Sequence, residues 1–268
     1  MDIFKFRDNL IDEFKLFSRS FTQIKSQDIA AEVKKQYDEH NRYWPEPLLQ
    51  INPNYQSEAT IAKLVADKVL DPLCKTIFSF EGKEFSLYTH QENAIDLAQK
   101  QQSYVVTTGT GSGKSLSFFI PIVNRIIQEK KTDARPRTRA IIIYPMNALA
   151  NSQLEEISKF LENDKSNTIS VDRYTGQEDK EERERIKSNP PDILLTNYVM
   201  LEMILTRHDD LEVVKHCKGL EFLVMDELHT YRGRQGADVA MLVRRLRQQL
   251  KCQDNLICIG TSATMSSE

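Results

Sequence analysis

Thr107-Thr108-Gly109-Thr110-Gly111-Ser112-Gly113-Lys114-Ser115 lies between a short β-branched and aromatic run at 103–106 and an apolar stretch at 116–127 that suits a helix. A strand, a glycine-rich loop and a helix start, in that order, form a cradle for phosphate. Gly109, Gly111 and Gly113 let backbone N–H groups close around an anion, and the helix N-terminus adds partial positive charge. Lys114 then reaches the β- and γ-phosphates of a nucleotide, and Ser115 can hold Mg²⁺. The strict pattern has glycine where Thr108 stands, so the loop alone is an imperfect match that a turn-rich segment also produces by chance.

Outward from this loop, helical stretches alternate with β-rich runs at 104–107, 140–144, 169–174, 192–196, 222–226 and 256–260. Ile141-Ile142-Ile143 and Phe222-Leu223-Val224-Met225 are continuously apolar, as strands covered by helices on both faces must be. The expected fold is therefore α/β, with a doubly wound, mainly parallel sheet whose ligands sit beyond the carboxyl ends of its strands. At one such end stands Asp226-Glu227-Leu228-His229, a costly place for two spare carboxylates. They make sense if Asp226 faces the Mg²⁺ of a nucleotide and Glu227 orients or deprotonates the attacking water. A single carboxylate there would read equally as a helix cap, and His229 alone is uninformative.

The remaining composition sets bounds. The chain has 268 residues, 40% of them hydrophobic and 28% charged, with a formal net charge of −3. That balance excludes a generally basic coat for nucleic acid and leaves room only for a local basic groove. No apolar run reaches the roughly 20 residues of a membrane span, and the first residues lack a secretory pattern, which points to the cytoplasm and to no membrane partner. Cys74, Cys217, Cys252 and Cys258 lack metal-ligand spacing and read as small buried thiols. Ile3, Phe6, Leu10, Phe14, Phe17 and Phe21 trace an amphipathic helix whose stripe must pack on something. A second helix is expected at 28–40, proline-marked connectors at 43–47 and 52–54, a third helix at 57–69, and a domain boundary near residue 80. The charged stretch at 177–187 reads as a solvated helix, and Pro121 predicts a bend in the helix after the phosphate loop.

Taken in order, these segments resemble superfamily 2 helicases of the DExH type, specifically their first RecA-like domain, over residues 85–268. Leu87-Tyr88-Thr89-His90-Gln91 is similar to the adenine-reading Q motif, although Thr89 fits a helix cap equally well, with Glu92 three residues on. The glycine loop resembles motif I, which tolerates Thr108. Tyr144-Pro145-Met146-Asn147-Ala148-Leu149-Ala150-Asn151-Ser152-Gln153 resembles motif Ia, Tyr174-Thr175-Gly176 a strand-end glycine turn, and Leu195-Thr196-Asn197-Tyr198 the motif Ib/Ic region. Asp226 to His229 is similar to motif II, and Ser262-Ala263-Thr264 to motif III. The segments Tyr144 to Ala150 and Asp226 to Val239 further resemble bacterial MrfA-type DNA repair helicases and relatives in phage-defence systems.

The resemblance implies ATP and Mg²⁺ as cofactors. It implies Gln91 and the loop from Thr108 through Ser115 as the nucleotide site, and Lys114, Asp226, Glu227 and His229 as the catalytic set, with Ser115 and Asp226 on the metal. Ser262 and Thr264 would couple nucleotide state to nucleic acid, while Pro145, Asn147, Gly176, Thr196 and Asn197 would contact its backbone, DNA being favoured over RNA. Residues 1–80 form a helical accessory region that has room for a protein partner, and 81–268 the motor domain. A second RecA-like domain, in cis or in trans, would supply arginine fingers, so the isolated chain is expected to hydrolyse ATP weakly. A duplex translocase that never separates strands and a nucleotide-dependent binding module without turnover share these motifs. Arg232 and Arg234, beside flexible glycines, fit either a phosphate grip or a solvated basic loop.

Overall fold

The computed structural model describes residues 2–21, 23–39, 55–80, 83–109 and 111–263. Thr110, Thr264, Glu81-Gly82 and the two proline-marked connectors lie outside the described residues. The chain divides into two compact units, Met1–Asn54 and Tyr55–Glu268. In the first, α1 (Ile3–Ser20) is capped by the Asp2 carboxylate, which accepts from the N–H groups of Phe4 and Lys5. α2 (Gln27–Lys34) runs into a π-helical turn at Lys35–Glu39. The stripe of α1 is not buried: Ile3, Phe6, Leu10, Phe14, Phe17 and Phe21 are all exposed. A cap and helical spacing suffice to form the helix, and neither requires the stripe to find a cover.

The second unit begins with β1 (Ser57–Thr60), α3 (Ile61–Ala66), α4 (Pro72–Ile77), β2 (Ser79–Phe80), β3 (Lys83–Glu84), β4 (Ser86–Tyr88) and α5 (Thr89–Gln99). The single helix expected at 57–69 is replaced by a strand and a short helix, because Thr60 accepts from Lys63 N as an N-cap and Ser57–Thr60 pairs antiparallel with β4. Likewise Asp71-Pro72 starts a helix: Asp71 caps α4 and Pro72 takes its first turn, where a missing N–H costs nothing. The boundary expected near residue 80 falls inside this unit, since Ile61, Leu64, Cys74, Ile77 and Phe78 are buried in the same core as α5 and the sheet.

Then come β5 (Tyr104–Thr107), α6 (Lys114–Lys130), β6 (Ala140–Tyr144), α7 (Asn147–Leu161), β7 (Val171–Arg173), α8 (Lys180–Ser188), β8 (Ile193–Asn197), α9 (Tyr198–Thr206), α10 (Leu211–His216), β9 (Phe222–Met225), α11 (Gly233–Gln249) and β10 (Ile257–Ser262). β5 to β10 form one parallel sheet in the order β5-β10-β9-β6-β8-β7. Alternate residues of one strand enter different cores: Ala140, Ile142 and Tyr144 face one helical layer, Ile141 and Ile143 the other. Both faces are thus covered, as the unbroken apolar runs require. This is a RecA-like domain, and helices precede it along the chain. Cys74, Cys217 and Cys252 are buried free thiols, and Cys258 is half-buried.

α6 continues through Pro121, which cannot donate to the carbonyl four residues back. That carbonyl, Ser117 O, is taken by the Tyr104 hydroxyl from β5 at 2.8 Å. Burial pushes the Tyr104 pKa up, so the phenol keeps the proton it donates. Tyr104→Phe should therefore destabilise the domain by about 1–3 kcal/mol, as an orphaned buried carbonyl does. The loss should be smaller in a Pro121→Ala background, where the helix regains its own N–H; equal losses in the two backgrounds in urea denaturation would separate Tyr104 from Pro121.

Candidate functional site

Motif positions converge at the carboxyl edge of the sheet. β10 lies between β5 and β9, with Ser262 beside Thr107 and Gly260 beside Met225. Strands stand about 4.8 Å apart, so the glycine loop leaving β5 and the acidic pair leaving β9 emerge roughly 10 Å from each other on the same edge. Gly111 and Gly113 adopt left-handed φ of 75° and 69°, the backbone region that anion-binding nests use. A Cβ on Gly113 would stand 2.6 Å from Gln91 Nε2, so this position excludes side chains on two counts.

The loop is held by its own residues and by neighbours. Lys114 Nζ donates to Thr108 O at 3.0 Å and Gly109 O at 3.1 Å. The Thr108 and Ser112 hydroxyls are hydrogen-bonded to each other. Ser115 Oγ donates to Gln153 Oε1 of α7 at 3.2 Å. Gln91 is buried and both ends of its amide are engaged: Oε1 accepts from Tyr88 N at 2.9 Å, and Nε2 donates to Gly113 O at 2.9 Å. The residue expected to read adenine thus braces the loop and caps α5. Thr89 is the first residue of α5, not its cap, and its hydroxyl donates to Gln56 O.

Across the cleft, the Thr261 hydroxyl of β10 donates to Asp226 Oδ1, and Glu227 N donates to Thr261 Oγ1 at 3.3 Å. Burial raises the Asp226 pKa and the Glu227 charge adds to the rise, while the Thr261 hydroxyl and the Lys114 ammonium pull it down. The Lys114 charge thus acts on Asp226. Glu227 sits in the left-handed region at φ 50°, a conformation that costs a non-glycine residue about 1–3 kcal/mol and concentrates at functional sites. Its Oε2 is buried without a hydrogen-bonded partner, 3.2 Å from His229 Nδ1. The same His229 nitrogen lies 3.1 Å from Ser262 Oγ, which joins the two segments.

A second cleft, of about 560 Å³, opens beside the ends of β6, β7 and β8, lined by Pro145, Asn147, Gly176 and Asn197 among others. It gathers four of the five residues expected to meet nucleic acid. Thr196 is the exception: it is fully buried, and its hydroxyl donates to Tyr174 O at 2.7 Å. Asn197 caps α9 through Met200 N and donates to Asn147 Oδ1 at 2.6 Å. Gln153, quoted from sequence only as the end of the motif Ia stretch, meets the glycine loop. Arg183 and Arg207, not singled out from sequence, also line the cleft, Arg183 from a segment whose composition reads only as solvated charge. Arg245 of α11 pairs with Glu202 of α9.

Since burial raises the Asp226 pKa, its folded carboxylate is penalised at all pH values above the raised one, and the penalty disappears as pH falls below the ordinary 3.8. Asp226→Asn keeps an acceptor for the Thr261 hydroxyl and removes the charge. In chelator at pH 7 it should raise stability by about 1 kcal/mol, or roughly 2–4 °C in Tm, and the gain should shrink on acidification. Unchanged Tm at pH 7 would show that the carboxylate carries no such penalty.

A family profile described as DEAD/DEAH box helicase matches residues 88–268. The chain is 32% identical over 199 residues to the uncharacterized ATP-dependent helicase YprA of Bacillus subtilis, covering 74% of this chain and 25% of that protein. It is 24% identical over 374 residues to Druantia protein DruE of Escherichia coli, covering 97% and 20%. The crystal structure of DUF1998 helicase MrfA bound to DNA and AMPPNP superposes with a TM-score of 0.67 at 27% identity, over 87% of this chain and 31% of MrfA. The match thus spans only 20% to 25% of the length of these two curated relatives. With that profile covering the glycine loop, the acidic pair and the strand that joins them, the chain belongs to the DEAD/DEAH box helicase family.

Proposed function

We propose that this chain is the ATP-binding motor module of a nucleic-acid-dependent ATPase, acting on DNA, which translocates on or unwinds its polymer when joined to a second RecA-like domain. The observation that supports this reading most directly is the placement of Lys114 and the Asp226-Glu227 pair at one sheet edge, both keyed to β10, with the Lys114 charge acting on Asp226. The donor set fits a magnesium-bound triphosphate: a loop with two left-handed glycines, one lysine, one hydroxyl, one carboxylate, and a buried carboxylate oxygen lacking a hydrogen bond among the described residues. Among the described residues no cluster of three or more His, Cys, Asp or Glu could hold an ion alone. Ser115 and Asp226 would hold magnesium together with phosphate oxygens, and the ion would neutralise charge on the phosphates.

In this reading Lys114 exchanges the carbonyls of Thr108 and Gly109 for phosphate oxygens. Glu227 Oε2 takes the proton of the attacking water or orients it, and His229 holds Glu227 against Ser262. Ser262, with Thr264, then passes nucleotide state to the polymer cleft, whose contacts are Pro145, Asn147, Gly176 and Asn197. Gln91 acts on the nucleotide through the loop it braces. DNA is favoured because MrfA was solved with DNA and because the motif pattern resembles DNA repair and phage-defence helicases. The relatives are several times longer than the matched span, which supports a second RecA-like domain supplying arginine fingers worth about 10³–10⁵ in rate. The four free cysteines support a reducing, cytoplasmic location. The exposed stripe of α1 supports a protein partner for the N-terminal helices. No helix among the described residues is long and apolar enough to cross a membrane.

ATP turnover should rise when single- or double-stranded DNA is added to the longest native form, and Glu227→Gln should lower it by about 10²–10⁴ while nucleotide binding persists. Failure of every DNA and RNA polymer to stimulate turnover would reject the motor and favour a regulatory nucleotide switch. Stimulation without strand displacement would identify a duplex translocase.

A further inference from the structure

The turn after β7 does not offer the polymer what its glycine suggests. Gly176 is left-handed at φ 91°, and its N–H donates to Glu178 Oε2 at 2.8 Å. The buried Glu178 carboxylate also accepts from Thr175 N at 2.9 Å and Thr175 Oγ1 at 2.8 Å. The donors of the turn are therefore consumed internally by an anion. A phosphate approaching it needs other cations, and two line the same cleft: Arg183 of α8 and Arg207, the C-cap of α9.

We propose that Arg183 and Arg207 are the phosphate-neutralising residues of the polymer cleft, gripping successive phosphates of the strand; this rests on the motor reading above. Arg183 donates from NH2 to Gly176 O at 3.2 Å, which aims its guanidinium along the cleft wall, while its Nε is buried and without a partner. The remaining N–H groups of this cleft-lining guanidinium call for an acceptor, and a phosphodiester fits their fork. The Arg207 side chain makes no hydrogen bond or ion pair with any described residue. α8 is fixed for this role by its Asp179–Glu182 capping box and by the two-pronged Arg185–Asp172 pair at 2.7 and 2.8 Å.

The acids nearby are largely engaged elsewhere. Besides Glu178, Asp210 Oδ1 accepts from the Tyr174 hydroxyl at 2.6 Å while its Oδ2 is buried without a hydrogen bond among the described residues, and Glu184 pairs with Lys187 at 2.9 Å, so Asp210 and the exposed Asp209 are the competing charges. α7 adds a further attraction: it starts at Asn147 with no side-chain cap, so the N–H groups of Asn147 and Ala148 have no cap acceptor, while that of Leu149 is taken by Met146 O. The exposed Met146 and Val199 add apolar lining to the same cleft, suited to sugar and base faces.

The test is fluorescence anisotropy of labelled oligo(dT) and oligo(rU) across a salt series, on the full chain and on Arg183→Gln, Arg207→Gln and the exposed control Lys218→Gln. Each arginine variant should bind several-fold more weakly and lower the slope of log K against log salt by about 0.7, with the control unchanged. Arg183→Lys should keep the slope yet lose affinity, and this separates lost charge from a loosened Gly176 turn. Wild-type slopes in both arginine variants would overturn the assignment, as would a loss confined to one polymer, since phosphate contacts do not distinguish DNA from RNA. If the wild-type chain binds neither polymer while still binding nucleotide, the motor reading fails first and the assignment falls with it.

Discussion

The carboxyl end of β10 is the part of this structure on which the site depends. Parallel pairing places Ile259 beside both Tyr104 and Val224, so one strand fixes the register of the strands that carry the glycine loop and the acidic pair. The pairing continues past the regular ladder. Ser262 O accepts from Thr108 N at 3.3 Å, Thr261 Oγ1 bridges the Asp226 carboxylate and the Glu227 N–H, and Ser262 Oγ meets His229 Nδ1. A slip of one residue in β10 would send Thr261 to the other face and strand a half-buried carboxylate without its donor. The sequence of β10 thus sets the geometry of two loops separated from each other by more than 100 positions.

The two ends of the sheet treat charge in opposite ways. At the amino ends, Arg139 is almost fully buried yet saturated: it pairs with Glu129 at 2.7 Å and Asp192 at 2.8 Å, and donates to the carbonyls of Asp133, Arg135 and Arg137. Lys130 joins Asp192 from α6, and Arg137 joins Glu129 to Glu221. A buried ion cluster satisfied to this degree confers little net stability but fixes where β6, β8 and β9 begin. At the carboxyl ends the donors and acceptors are left incomplete among the described residues: Glu227 Oε2 lacks a hydrogen bond there, Asp226 is held protonated more readily than an ordinary carboxyl, and Lys114 has only loop carbonyls for partners. Polar groups that fold without full satisfaction at such an edge make it a candidate ligand site.

The strands were legible in the sequence because a strand buried on both faces must be continuously apolar, and runs such as Ile141-Ile142-Ile143 have no other use in a chain this charged. The glycine loop and acidic pair were legible because few arrangements justify such residues at strand ends. Side-chain competition for hydrogen bonds was not legible. Gln91, Gly176 and Thr196 carry the right groups for ligand contact, but Tyr88, Gly113, Glu178 and Tyr174 claim them first, and those partnerships join residues distant in sequence or separated by a turn. Residues 57–60 misled for a different reason: Thr60 can either continue a helix or cap one, and only the pairing of Ser57–Thr60 with Ser86–Tyr88 decides it.

α7 gives these pieces a common mechanical element. Its first residue, Asn147, is bonded to Asn197 at the cleft, and Gln153, less than two turns along the same helix, accepts the Ser115 hydroxyl at the nucleotide loop. A serine that donates its proton to Gln153 keeps both oxygen lone pairs free, and lone pairs are what a cation takes. Gln153 therefore does more than tie the loop to the helix; it sets the direction in which Ser115 can act. Coupling between two sites needs an element that touches both and moves as a unit. A helix anchored at Asn147 and Ser115 meets that physical requirement, tying the cleft beside the ends of β6, β7 and β8 to the glycine loop without any contribution from Ser262.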